Sequence, residues 1–271
     1  MDTGKFANGK GGCYNKAAFH GSARIQTAAA AEQNRAECRR KTMRLRNVTG
    51  SRDFIAASTD VVQDYLKHAG SWDSVFGGPG RLRIEIGTGK GQFITRLAQM
   101  NPEIHYIGIE KYSTVLLRAI QKKEKIRAES ENPDILSNLL YLRMDAEEIA
   151  NVFAPGEVDE IYLNFSDPWP KDRHANRRLT SVPFLIRYQR ILKPKGKIYF
   201  KTDNVPLFDF SLEQIRKAGW NLLYVTRDLH GSSYNEGNVT TEYEDRFSAQ
   251  GNAIMALAAE RPDDRPSGLE K

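Results

Sequence analysis

Three acidic residues and one Trp-bearing loop, each following an apolar run, carry most of the chemistry in this chain. Glu85 lies in Ile84-Glu85-Ile86-Gly87-Thr88-Gly89-Lys90-Gly91, Glu110 ends Gly108-Ile109-Glu110, and Asp145 sits in Met144-Asp145-Ala146. The loop is Asn164-Phe165-Ser166-Asp167-Pro168-Trp169-Pro170-Lys171. Its prolines donate no backbone hydrogen bond, so they bracket the Trp and leave a carboxylate beside an aromatic face. That pairing suits a flat, polar, aromatic ligand such as a nucleobase. The glycines Gly87 and Gly89 permit a tight turn and close ligand approach, although Gly91 follows two residues later rather than three. Glu85 would repel a pyrophosphate there. It suits a ligand with an amine and a sulfonium, and S-adenosyl-L-methionine carries both. Glu110, about 20 residues beyond the glycines, is placed to take both ribose hydroxyls of an adenosine. Asp145 can meet the adenine edge, cap the next helix, or do both.

Positioning these groups falls to alternating elements. Strand-like runs occupy residues 82–86, 104–109, 139–143, 158–165 and 197–201, and helical patterns occupy 91–100, 113–128, 146–153, 180–192 and 206–218. Phe184, Tyr188 and Ile191 recur at the helical period and are predicted core. Residues 221–227 and 253–259 read as late strands forming a closing hairpin, and a helix is expected over 58–68. The alternation specifies an α/β fold: a doubly wound, mostly parallel, Rossmann-like sheet with an antiparallel closing strand. Its ligand crevice lies at the carboxyl ends of the strands, where the acids fall.

The chain's 271 residues have ample length for a core, and no apolar run approaches the roughly 20 residues of a membrane helix. Of the formal charge of +6, most comes from residues 1–42, which hold eight Lys/Arg against three acids. Overall basicity is therefore weak evidence for nucleic-acid binding, and local clusters weigh more. Residues 1–42 are rich in Gly, Asn and Ala and read as a disordered extension, with Met43 as a plausible start. A cap region is expected over 43–80, the main domain over 81–262 and a short tail over 263–271. Cys13 and Cys38 both lie in the extension, which argues against a disulfide framework or a metal site and for a reducing cytoplasm.

Beyond the Trp loop, Arg173, His174, Ala175, Asn176, Arg177 and Arg178 form a basic segment suited to a phosphate backbone. Asp203, in Lys201-Thr202-Asp203-Asn204, reads either as a site residue or as the cap of the next helix. Thr241-Glu242-Tyr243-Glu244 has no identifying local chemistry of its own.

The acids with the glycine turn resemble a class I methyltransferase. Ile84 to Gly91, the Asn164 to Lys171 motif, Phe200 to Asn204 and Thr241 to Glu244 together resemble the bacterial tRNA (guanine-N7)-methyltransferase family, over residues 43–259. That resemblance implies methyl transfer from S-adenosyl-L-methionine to a guanine in the tRNA variable loop, commonly position 46. It also implies that Glu85, Gly87, Gly89, Glu110, Asp145 and Asp167 meet the cofactor and that Asp167 is the active-site residue. Lys171, Asp203, Thr241, Glu242, Tyr243 and Glu244 match its substrate positions, and residues 173–178 its RNA-contacting loop. Guanine N7 has a lone pair and no proton to lose, so Asp167 is expected to orient rather than to act as a base. Trp169 is left open between stacking on a base and packing on the sheet. The partner expected is tRNA, with no membrane or metal, and the chain a monomer or homodimer. The competing readings are an exocyclic-amine methyltransferase, a non-catalytic RNA-binding subunit and a nicotinamide enzyme.

Overall fold

A computed structural model describes residues 48–262; the expected extension over 1–42, both cysteines and the 263–271 tail lie outside the described residues. Seven strands form one sheet in the order β3-β2-β1-β4-β5-β7-β6. They are β1 (Arg81–Ile86), β2 (Ile104–Ile109), β3 (Leu139–Leu142), β4 (Val158–Asn164), β5 (Leu192–Thr202), β6 (Asn221–Thr226) and β7 (Met255–Glu260). β1 to β5 pair parallel, whereas β7 runs antiparallel between β5 and β6. The chain direction across the sheet reverses between β1 and β4, and a crevice opens outside their carboxyl ends at such a switch point. Glu85 and Gly87 end one of these strands, and Asn164 to Asp167 end the other.

The helices are α1 (Ser51–Ala57), α2 (Trp72–Val75), α3 (Gln92–Met100), α4 (Ser113–Glu129), α5 (Ile149–Val152), α6 (Val182–Ile191), α7 (Val205–Lys217) and α8 (Glu242–Ser248). Phe184, Tyr188 and Ile191 of α6 are buried against Val158, Ile161 and Ile198 of the sheet, as their spacing predicts. Gly91 (φ 78°) starts α3 where a Cβ would lie 2.9 Å from the Ala119 Cβ of α4. Only glycine lets those two helices approach so closely at that turn.

The structure departs from the local expectations at four places. The helix expected over 58–68 is absent: Val61 bridges Tyr141 in parallel, and a single 3-10 turn covers Tyr65–Lys67. The Asp60 carbonyl accepts from Tyr141 N at 2.8 Å, and its carboxylate takes the fully buried Lys123 ammonium at 2.7 Å and Arg127 at 2.8 Å. These contacts hold residues 60–62 extended along the β3 edge and cover it. Residues 146–153 divide into a 3-10 turn (Ala146–Glu148) and α5. β5 begins five residues before the expected 197, because its early bridge Val158↔Leu192 precedes a register shift that Pro194 and Gly196 disguise. The β6–β7 pairing holds, with α8 in its connection rather than a plain hairpin turn.

Candidate active site

A cleft of about 540 Å³ opens at the carboxyl ends of β1, β2, β3 and β4. Gly87, Glu110, Met144 and Asp145 line one side, with Asn164, Asp167 and Trp169 on the other and Arg177 at the rim. Its volume lies within the roughly 300–1,000 Å³ range of small-molecule sites.

Glu110 is buried, accepting from Gly89 N (3.1 Å) through one oxygen and Tyr112 N (2.9 Å) through the other. Burial pushes its carboxyl up, those backbone N–H groups oppose the rise, and the charge of Asp167 adds to it. Asp145 caps the 3-10 turn by accepting from Glu147 N at 3.1 Å, and it pairs with Lys111 at 2.5 Å. Burial alone would raise the Asp145 carboxyl, but the Lys111 hydrogen bond holds it below the usual range.

Glu85 stands behind the cleft surface rather than on it. It is 2% exposed, and its oxygens accept from Thr88 Oγ1 at 2.7 Å and Asn164 Nδ2 at 2.8 Å. Asn164 itself faces the cleft, so its amide joins Glu85 to the opposite wall. Sequence alone gives Asn164 no separate role; an amide closing the apolar stretch Ile161-Tyr162-Leu163 is the available signal. Burial lifts the Glu85 carboxyl from 4.5 to about 7, against the hydrogen bonds from Thr88 and Asn164. Between those values the folded chain binds more protons than the unfolded chain. Glu85 therefore stabilises the ligand-free fold fully below about 4.5 and ceases to as pH rises through about 7. A Glu85→Gln variant is expected to lose this part of the fall in stability between pH 5 and 8, read by denaturant titration at each pH. Parallel profiles for variant and wild type would contradict it.

The motif loop is held in costly backbone geometry. Phe165 (φ 51°) and Trp169 (φ 41°) both occupy the left-handed region, at roughly 1–3 kcal/mol each for non-glycine residues. Asp167 is exposed between them and lines the cleft. Trp169 resolves to neither expected extreme: it is half-buried, edge-on to His174 at 5.6 Å, with the Arg177 guanidinium 5.1 Å from its ring centre. Lys171, Arg173, Asn176 and Arg177 are exposed along a 3-10 segment, Asp172–Arg177, and His174 and Ala175 are half-buried there.

The two later clusters adjoin this loop. Phe165 packs on Tyr243 at 4.8 Å, and Tyr243 donates its hydroxyl to Asp203 at 3.2 Å. Asp203 does not cap α7: Asn204 does, accepting from Leu207 N at 2.9 Å. Thr241 caps α8 through Glu244 N, and Glu242 pairs with Lys122. Glu244 is fully buried; Lys201 Nζ (2.6 Å), His230 Nε2 (2.9 Å) and Asn238 Nδ2 (2.8 Å) occupy its carboxylate. Sequence does not mark Lys201 and His230 as site residues, because only the fold brings β5 and the β6–β7 connection together.

The donor set fits S-adenosyl-L-methionine. Gly87 (φ 78°) lines the cleft with open space where a Cβ would project, which permits close approach of a ligand. Glu110, Asp145, Glu147 and Asp167 outnumber Lys111 and Arg177 in the cleft lining, a balance that suits a cationic ligand. Among the described residues there is no cluster able to hold a metal, and no helix is long and apolar enough to cross a membrane.

Fold and site together define a class I S-adenosylmethionine-dependent methyltransferase. Residues 80–257 match the family model described as a putative methyltransferase. Among solved structures, the chain is similar to the 16S rRNA methyltransferase KamB (TM-score 0.52, 16% identity, 71% of this chain and 93% of that one). A structure described as an antibiotic-related methyltransferase gives a TM-score of 0.51 at 20% identity, covering 70% and 92%. These likenesses bear on the fold alone. The chain is 58% identical over 219 residues to the tRNA (guanine-N(7)-)-methyltransferase of Lachnoclostridium phytofermentans, covering 81% of this chain and 99% of that protein. It is 44% identical to that of Bacillus subtilis, covering 80% and 99%. The chain belongs to the tRNA (guanine-N7)-methyltransferase family.

Proposed function

We propose that this protein transfers the methyl group of S-adenosyl-L-methionine to N7 of a guanine in the variable loop of tRNA. The observation that carries the reading is a single cleft in which Glu110 and Asp145 face Asn164, Asp167 and Trp169, with a basic segment at its rim. Glu110 has lone-pair capacity beyond its backbone partners for the ribose hydroxyls, and Asp145 with Met144 borders the adenine. Gly87 and Gly89 admit the methionine portion, with Glu85 acting through Asn164. When bound, the cofactor supplies an electrophilic methyl on a positively charged sulfur.

Asp167 then orients rather than deprotonates, because N7 has no proton to lose and the barrier falls through alignment and electrostatics. Trp169 borders the base and is itself set by Arg177 and His174. Lys171 and Asp203 approach the substrate from the loop side, while Thr241 and Glu244 shape the start of α8 that presents Glu242 and Tyr243. The work falls to residues 81–262, in a cytoplasmic setting.

Incubating the protein with unmodified tRNA and methyl-labelled cofactor is expected to place label in the RNA; label that stays with the cofactor would overturn the reading. Arg177→Ala is expected to weaken tRNA binding and to flatten the dependence of log K on log salt by about one unit at most. An unchanged slope would remove Arg177 from the RNA interface.

A further inference from the structure

We infer that Arg178, although it closes the basic segment, is a positioning residue for the Asp167 loop rather than a contact to RNA; the inference rests on the methyl-transfer reading above. Its guanidinium donates through Nε to the Pro168 carbonyl and through Nη2 to the Trp169 carbonyl, both at 3.0 Å. Its planar face lies 4.3 Å from the ring centre of Phe210 on α7. Arg178 is half-buried, whereas Arg177 beside it is exposed and lies over the Trp169 ring. With two N–H groups spent on loop carbonyls and the ring of Phe210 beside it, the guanidinium is anchored to the loop instead of being free to follow a phosphate.

The residues it grips are the two that follow Asp167, and Trp169 is one of the strained positions of the loop. A bulky residue persists in the left-handed region only where its surroundings over-determine it. Arg178 supplies that constraint from a fixed base. Phe210 packs against the main core, and Arg178 is tied into its own turn, donating its N–H to the Ala175 carbonyl at 3.1 Å and accepting from Ser181 N at 2.9 Å. Lysine cannot replace it, because one ammonium lacks the rigid planar fork that spans two carbonyls while stacking on a ring.

Two neighbouring arginines thus divide two tasks, and kinetics separates them. Arg178→Ala is expected to lower kcat about 100-fold, the scale of a misplaced catalytic group, with KM for tRNA and the salt slope of binding nearly as in wild type. Arg177→Ala is expected to act chiefly on KM and the slope. Arg178→Lys should recover little of the lost kcat. Phe210→Ala, which removes no charge, should reproduce part of the kcat loss. Trypsin cleavage after Lys171 and Arg173 reads the loop without reference to activity, and both Arg178→Ala and Phe210→Ala should accelerate it several-fold under conditions where each variant remains fully folded. A raised KM and shallower salt slope in Arg178→Ala, with unchanged kcat and unchanged loop cleavage, would make Arg178 an RNA contact and overturn the inference. If wild type methylates no tRNA, the functional reading fails, while the cleavage rates still decide whether Arg178 holds the loop.

Discussion

Asp167→Ala is expected to lower methyl transfer about 100-fold or more while leaving tRNA affinity within a few-fold of wild type. The residue sits exposed in the cleft between two strained backbone positions, close enough to Glu110 for its charge to raise that carboxyl. Its backbone is held by its neighbours, so removing its side chain deletes an acceptor without dismantling the loop. Losing one preorganised polar group typically costs about 10²–10³ in kcat, whereas RNA affinity rests mainly on phosphate contacts elsewhere. Single-turnover methylation with filter-binding on the same samples separates the two. Because N7 needs no base, Asp167→Asn should retain far more activity than Asp167→Ala. Equal losses in the two variants would mean that the reaction needs the carboxylate's charge or basicity, and would contradict a purely orienting role.

Lys201→Met is expected to destabilise the fold by about 3–5 kcal/mol, the usual result of removing one partner from a buried ion pair. Lys201 is 7% exposed and reaches Glu244 (2.6 Å), the Val239 carbonyl (2.9 Å) and Asn238 (3.1 Å). Burial alone would raise the Glu244 carboxyl, but Lys201 beside it holds it below the usual carboxylate range. Without the ammonium, His230 and Asn238 compensate in part. Lys201→Met combined with Glu244→Gln should therefore lose less than the two single changes together, by about 1 kcal/mol or more. Denaturant midpoints for the four proteins test this; strict additivity would show that the pair is not coupled. The pair matters to function because it fixes residues 238–244, whose Tyr243 meets both Phe165 and Asp203.

What sequence reveals here follows from which interactions are local. β1, β2 and β4 are legible because each gathers Ile, Leu, Val or Tyr over six or seven residues and stops at a turn or polar residue, Gly87, Glu110 and Asn164 respectively. α6 was readable because Phe184, Tyr188 and Ile191 keep the helical period onto the sheet. The cleft residues Glu110, Asp145 and Asp167 share strand tips for the same reason. Residues 58–68 were not readable, since Asp60 is held extended by Lys123 and Arg127 from α4. The burial of Glu85 and Glu244 was equally hidden, because Asn164, Lys201 and His230 reach them only in the folded chain. Arg177 and Arg178 are neighbours of one type, and only the folded chain tells them apart, through the Pro168 and Trp169 carbonyls and the Phe210 ring that meet Arg178.

The central claim is the atom that receives the methyl group. N7-methylation leaves a guanine whose glycosidic bond opens after reduction, so aniline then breaks the RNA at that nucleotide. After incubation with this protein and S-adenosyl-L-methionine, unmodified tRNA is expected to acquire one aniline-sensitive break, at a guanine of the variable loop, that is absent without the cofactor. Methyl incorporation without such a break, or a methyl found on an exocyclic amine, would contradict the account.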